Sequence, residues 1–468
     1  MRKELRKKQI LVNVAVSIAA QVVSLLTSFT INLIVPKFID EYQYAYWQTY
    51  VLYASYAGIF HLGILDGLML RYSQYDYDEL NKPEVKSQAL CVAGILSVFS
   101  AIGIIIGCAN RDAVNRTIVI MVATSILVKN MFVFASYMFQ CTNRIKSYAK
   151  IVITQKLIFA AIALVMVLSK VNNFALYCAA DLTAEFIGFL ASIPANKELY
   201  ASKTMSLMKV GGVLKQTFVA GSMLMVANLS NNLIIGSSKM FVQNFWDTLS
   251  FGKVSFGFSI TNLFLTFVTA ISVVLFPSLK RMKQDELPDF YRTLREPLSV
   301  LLITMLIGYY PIQFILGLWI PKYNDSLVYL QVLLPIIICT TRTSLLTNNY
   351  FKAYRHEKKM LFINISSIVV EIIGLFSIYY VTDSLLAILI WTVVLTFAKS
   401  IVSEFFIFKI IDRCFYGDII LELILVMGFT LGVQLSNRII GFASYLLLLG
   451  VYYVFKRKTL LSWYQKLP

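Results

Sequence analysis

Charge is scarce in this chain: only 14% of its 468 residues are Asp, Glu, Lys or Arg, against 58% apolar residues and a mean hydropathy of +0.71. A water-soluble domain carries about a quarter charged residues, so a soluble fold is excluded. Histidine is nearly absent, and the two that occur, His61 and His356, have no Cys or carboxylate cluster at metal-ligand spacing. The six cysteines (Cys91, Cys108, Cys141, Cys178, Cys339 and Cys414) show no Cys-x-x-Cys spacing and mostly fall in apolar runs, where a thiol packs as a small hydrophobe. No Gly-x-x-x-x-Gly-Lys-Ser/Thr loop is present, and no segment has the length to hold a nucleotide-binding domain, which excludes ATP as the direct energy source. Asp76-Tyr-Asp78 has the form of a metal-binding Asp-x-Asp, yet it stands alone in a short acidic loop. No cofactor, metal or catalytic residue is expected, and the chain reads as a non-enzyme.

What is abundant is the apolar run of roughly 20 residues, the length that crosses a ~30 Å hydrocarbon core as a helix. Fourteen spans are expected, at 10–35, 44–69, 88–109, 117–139, 150–168, 174–193, 216–236, 251–276, 298–319, 327–347, 360–381, 385–408, 419–435 and 439–455. The first follows the basic start Met1-Arg-Lys-Glu-Leu-Arg-Lys-Lys8. It is far longer than a signal core of ~7–15 residues and lacks a small-x-small cleavage site, so it reads as an uncleaved span. The expected fold class is an all-α integral membrane protein of about fourteen transmembrane helices.

The formal net charge of +17 follows from topology. With the amino terminus inside, basic residues concentrate in inner loops: Arg144, Lys146 and Lys150 face only Lys170 across one span, and Lys352, Arg355, Lys358 and Lys359 face none across another. Both termini are therefore expected in the cytoplasm. No loop is long enough to build a nucleic-acid surface, although the basic loops should attract anionic membrane lipids. The segment Ser278 to Glu296 reads as an amphipathic helix on the inner surface. It would offer Leu279, Met282, Leu287, Phe290 and Leu294 to the apolar side and Lys280, Arg281, Lys283, Arg292 and Arg295 to headgroups.

Three landmarks recur in order. Asn32-Leu-Ile34 returns as Asn232-Leu-Ile234, Asp78-Glu-Leu80 as Asp285-Glu-Leu287, and the basic turn from Phe139 to Lys146 as that from Phe351 to Lys358, at offsets of 200, 207 and 212 residues. Each offset is six spans, so the copies share one orientation. The expected organisation is two parallel six-helix lobes, 1–200 and 201–410, with two additional helices and a basic tail in 411–468.

Polar side chains fall in stripes. The first span carries Asn13, Ser17, Gln21, Ser24, Ser28 and Asn32 on one helical face; the seventh carries Thr217, Gly221, Asn228 and Asn231 or Asn232; the eighth carries Ser255, Ser259, Asn262, Thr266 and Thr269. Such groups do not face lipid unsatisfied, and they suggest either interhelical hydrogen bonds or a hydrated cleft between lobes. Charges within spans, costly by about 2.5–3.5 kcal/mol or more each, include Lys129, Lys156, Asp181, Glu185, Arg342, Glu371, Lys399, Glu404 and Glu422. Lys129, Arg342, Lys253 and Lys399, with Asn13, Gln21, Asn32, Asn228, Asn232 and Asn262, are the candidate substrate contacts. Asp181 and Glu185, one turn apart, are candidates for a coupling ion. Ion pairs inside each lobe, Lys156 with Glu185 or Arg342 with Glu371, are the alternative.

The repeat, the basic turn Phe139 to Lys150, and Phe60-His-Leu-Gly-Ile-Leu-Asp-Gly-Leu-Met-Leu-Arg-Tyr72 resemble polysaccharide biosynthesis proteins of the Wzx type. These are the O-antigen and capsule repeat-unit flippases of the multidrug/oligosaccharidyl-lipid/polysaccharide (MOP) exporter superfamily. The resemblance covers the whole chain in topology, through loose motifs. It implies a V-shaped two-lobe fold in the bacterial cytoplasmic (inner) membrane that moves undecaprenyl-diphosphate-linked oligosaccharide outward by alternating access, for lipopolysaccharide or capsule assembly. It also implies a polysaccharide polymerase and a chain-length regulator as partners. A cationic cavity suits such a substrate, because a diphosphate in a low-dielectric region needs fixed positive charge. Fourteen spans also resemble the lipid II flippase branch, whose extra pair makes a groove for the polyprenyl tail, but no arginine cluster marks the first two spans here. A multidrug exporter of the same superfamily is the rival within the fold, and a membrane-embedded oligosaccharide polymerase is the rival among enzymes.

Overall fold

The computed structural model describes residues 19–281, 286–435 and 437–464. It is 88% helical, with no strand among the described residues. The helices are α1 (Ala19–Phe38), α2 (Glu41–His61 continued by Ile64–Tyr72), α3 (Lys82–Ala109), α4 (Ala113–Cys141), α5 (Ile145–Leu168) and α6 (Phe174–Leu190). They continue with α7 (Leu207–Phe245), α8 (Thr248–Arg281), α9 (Leu287–Trp319), α10 (Ser326–Ala353), α11 (Glu357–Thr382), α12 (Leu385–Ile411), α13 (Tyr416–Gln434) and α14 (Arg438–Tyr464). Among the described residues, twelve are long and apolar enough to cross a membrane, and the two parts of α2, bent by 61° at their break, make a thirteenth. Helix α8 is 34 residues long. The chain is a multi-pass membrane protein.

Short polar loops end the helices by satisfying their free backbone groups. Asp40, Asn81, Asp112, Asn173 and Ser384 each accept a hydrogen bond from a first-turn amide, the role for which short polar side chains are favoured. The basic turns after α4 and α10 have one conformation. Asn143 and Arg355 are left-handed (φ 56° and 57°), the Arg144 amide donates to the Phe139 carbonyl at 2.8 Å, and the His356 amide donates to the Phe351 carbonyl at 2.7 Å. Lys170 after α5 and Asp383 after α11 are also left-handed. These two pairs of left-handed residues are spaced 212 and 213 residues apart.

The chain forms two compact units. One takes in the described residues up to Asn232 and Gln243–Gly252; the other takes Leu233–Val242 and the described residues from Lys253 on. In the first, Ile64, Leu68, Val85, Val92, Leu96 and Phe134 build a core where α2, α3 and α4 meet. In the second, Ile336, Leu346, Tyr350, Ile388, Phe408 and Phe429 are fully enclosed by α9 to α14.

Sequence periodicity expects an unbroken second span, whereas α2 breaks at Leu62 and Gly63, both left-handed (φ 53° and 79°). Asn130 of α4 donates its side-chain amide to the freed Ala57 carbonyl at 2.9 Å, and the Gly63 amide donates to His61 Nδ1 at 3.0 Å. Non-helical backbone at membrane depth needs such partners. A Cβ at Gly67 would strike the Thr217 carbonyl, and one at Gly221 would strike that of Gly63, so these glycines let the second half of α2 lie directly on α7.

The segment Ser278 to Glu296 also departs from expectation. Its ends belong to α8 and α9, and 282–285 lie outside the described residues. Arg295, expected at headgroups, is completely buried, because it points along α9 into a set of carboxylates.

Candidate functional site

Each unit holds a cluster of intramembrane charge. In the first, Lys129 of α4 donates to Asp181 Oδ2 at 2.7 Å and reaches Glu185 Oε1 at 3.5 Å. The Tyr50 hydroxyl of α2 donates to the same Asp181 oxygen at 2.9 Å. Asp181 and Glu185 meet the lysine together because they lie four residues apart on one face of α6. Among the described residues no ion pair links Lys156 to Glu185, although its charge acts on both carboxylates. The Lys129 side chain is 23% exposed and both carboxylates 14%.

The cluster of the second unit is larger and closed. Arg295 forks onto Glu404 at 2.8 and 3.2 Å and also reaches Asp418 at 3.3 Å and Glu422 at 3.4 Å. Arg342 bonds to Glu422, lies 3.5 Å from Glu404 and donates to Ser400 at 3.1 Å. Lys456 of α14 holds Asp418 at 2.6 Å. Tyr291 donates to Glu404 at 2.9 Å and Ser299 to Glu422 at 2.6 Å. Three cations face three carboxylates from α9, α10, α12, α13 and α14, and the Arg295, Arg342, Glu404 and Glu422 side chains are no more than 3% exposed. The alternative pairing of Arg342 with Glu371 does not form; Glu371, fully buried, accepts the Thr392 hydroxyl at 2.8 Å.

The candidate substrate contacts fall in different settings. Lys253 opens α8 and pairs at 2.5 Å with Asp325, which is 72% exposed. Lys399 is buried on α12. Asn228, Asn232 and Asn262 are exposed, Gln21 and Asn32 are half-buried, and Asn13 lies outside the described residues. Arg342 meets the expectation of an anion contact with an enclosed side chain whose charge is already matched. Arg295 was read from the sequence as a headgroup contact rather than a buried cation because its main partners are 109 and 123 residues away. Arg71 and Asp66 went unnoticed because a single apparent span concealed the break beside them. Arg71 donates to the Val213 carbonyl at 3.0 Å and Thr217 at 2.6 Å, and buried Asp66 lies 3.7 Å from His61 Nε2. Among the described residues, no group of three or more His, Cys, Asp or Glu is arranged to hold a metal ion.

No protein-family model matches the sequence, and no curated protein matches it. Solved structures do. The lipid II flippase MurJ, in an inward closed conformation, aligns at a TM-score of 0.68 with 11% identity, over 96% of this chain and 100% of that one. An outward-facing multidrug resistance MATE family transporter of the MOP superfamily aligns at 0.57 with 11% identity, over 86% and 95%. A Vibrio cholerae MATE transporter aligns at 0.56 with 11% identity, over 85% and 95%. The chain shares its fold with these structures. With so little sequence shared, the MOP likeness is one of helix number, order and packing, and the charged clusters are read from this chain's own residues.

Proposed function

We propose that the protein is a flippase that carries undecaprenyl-diphosphate-linked oligosaccharide repeat units across the bacterial cytoplasmic membrane by alternating access, for surface-polysaccharide assembly. The observation that carries this reading is the likeness to a lipid flippase over 96% of the chain, against 85–86% for the two MATE transporters. The resemblance of Phe60 to Tyr72 and the basic turn to Wzx-type proteins supports an oligosaccharide rather than a peptidoglycan cargo. Exposed amides on α7 and α8 support it further. Asn228, Asn232 and Asn262 are uncovered by protein, and an amide in that position requires water or a polar ligand rather than hydrocarbon.

In this reading Lys129, Lys253 and Lys399 are the cations nearest to use by a diphosphate, with Gln21, Asn32 and the exposed asparagines serving sugar hydroxyls. The Lys129 cluster is the candidate coupling site, because Asp181 and Glu185 compete for one lysine and remain partly open. Arg342 is assigned to holding helices together. A polysaccharide polymerase and a chain-length regulator are proposed as partners downstream of translocation.

The test is translocation of a fluorescent lipid-linked oligosaccharide in vesicles reconstituted with the purified protein, alongside restoration of surface polysaccharide in cells lacking their own flippase. Transport of a cationic dye without movement of the lipid-linked sugar would favour the multidrug reading and refute this one.

A further inference from the structure

The loop leaving α2 and the start of α3 line a half-open pocket of about 480 Å³ within the first unit, in the size range of small-molecule sites. We propose that it is a saccharide subsite, reading a sugar unit of the cargo; this rests on the flippase reading and deepens it. One wall is fixed by a chain of hydrogen bonds. Tyr72 donates to Glu84 at 2.6 Å, Gln88 donates to Tyr72 at 2.8 Å, and Thr217 donates to Gln88 at 2.7 Å. Arg71 closes the chain by binding Thr217 at 2.6 Å and lying 3.6 Å from Glu84. The wall therefore joins α2, α3 and α7 and keeps its shape without a ligand, which lowers the ordering cost of binding.

The loop adds two further lining residues. Gln74 and Tyr75 are exposed on the loop, and neither side chain takes part in the wall's bonds. An amide that both donates and accepts, beside a phenol ring with a polar tip, suits a sugar, whose hydroxyls need both kinds of partner and whose C–H faces pack on aromatic rings. A diphosphate is a poor fit. The lining carries Glu79 and Glu84 against Arg71, and the guanidinium is already committed to the Val213 carbonyl, Thr217 and Glu84, so an anion would meet net negative charge.

The experiment titrates the purified full-length protein in detergent with N-acetylglucosamine, galactose, glucosamine and chitobiose by calorimetry, and with inorganic diphosphate as competitor. Saturable binding of at least one saccharide is expected, weakened tenfold or more by Gln74→Ala and by Tyr75→Ala with unchanged melting temperature, and untouched by diphosphate. Failure of every saccharide to bind, wild-type binding by both variants, or displacement by diphosphate overturns the subsite. Vesicle translocation separates the two readings: wild-type protein that moves lipid-linked oligosaccharide yet binds no free saccharide sinks the subsite alone. Wild-type protein that binds saccharide through Gln74 and Tyr75 but moves no lipid-linked oligosaccharide sinks the flippase reading alone.

Discussion

Replacing Arg295 by methionine keeps an unbranched stem of similar reach and removes one of three cations from the sealed network. Arg342 and Lys456 then face Glu404, Glu422 and Asp418, so one buried carboxylate is left without compensation. Breaking a buried pair in this way costs about 3–5 kcal/mol. For a cooperative unit of around 200 residues, each kcal/mol lowers the melting temperature by about 2–4 °C on the soluble-protein scale, so a fall of roughly 6–20 °C is expected. Adding Glu404→Gln restores the balance of two cations and two carboxylates, and the double variant should recover more than half of the loss. The assay is thermal unfolding of the purified protein in detergent, followed by tryptophan fluorescence and cast as a double-mutant cycle with a coupling of at least about 1 kcal/mol. A single variant melting within about 1 °C of wild type, or a double variant that falls by the sum of the singles, would refute the claim that charge balance holds this network.

Glu371→Gln breaks no ion pair and keeps the acceptor for Thr392, so it should shift the melting temperature by less than about 2 °C, whereas Glu404→Gln alone should lower it well beyond that. Gly67→Val drives a side chain into the Thr217 carbonyl and should sharply reduce folded protein on size-exclusion chromatography, with Gly94→Val, where nothing lies within 4 Å, as the tolerated control. Arg144→Lys loses a guanidinium lying 3.6 Å over the Tyr77 ring and its bonds to the Ala195 carbonyl and Asn196; a loss of about 1–2 kcal/mol is expected by thermal unfolding. Cysteines placed at Ser202 and Asp325 should react with membrane-impermeant maleimide from opposite sides of the membrane, and labelling from one side would overturn the fourteen-span topology.

The helices were legible because each apolar run has the length that hydrocarbon demands and each loop supplies its own cap. The turns at Asn143 and Arg355 were legible as a repeat through their flanking Phe139 and Phe351, both fully buried. The break in α2 was hidden because hydropathy passes smoothly through Leu62 and Gly63; its signals were the glycines at 58, 63 and 67 and the histidine among them. Charges could be recognised as costly within spans, but their partners could not, since Lys129 and Asp181 are 52 residues apart and Arg342 and Glu422 are 80. Arg295 was assigned to headgroups because an amphipathic pattern fixes which residues share a face and leaves open whether the polar face meets water or carboxylates.

The two clusters differ in a way that bears on how each unit can move. In the second unit the charges come from five helices and cancel, with Arg295, Arg342, Glu404 and Glu422 enclosed and Asp418 20% exposed, so separating the helices that carry the enclosed four would expose an unmatched charge to a low dielectric at a cost of several kcal/mol. Helices α13 and α14 are tied into that unit through Asp418, Glu422 and Lys456. The first unit holds its charges on α4 and α6 with the hydroxyl of α2 beside them, keeps them partly open, and contains the broken helix α2 with its backbone pressed on α7. An exchange of Lys129 between Asp181 and Glu185 requires only a rotamer change, since both are already within 3.5 Å. In the proposed flippase cycle, rearrangement is expected inside the first unit, at α2 and the Lys129 cluster, with the second unit's charge network kept intact; cysteine pairs across α9 and α13 should cross-link without loss of translocation, and pairs across the two halves of α2 should abolish it.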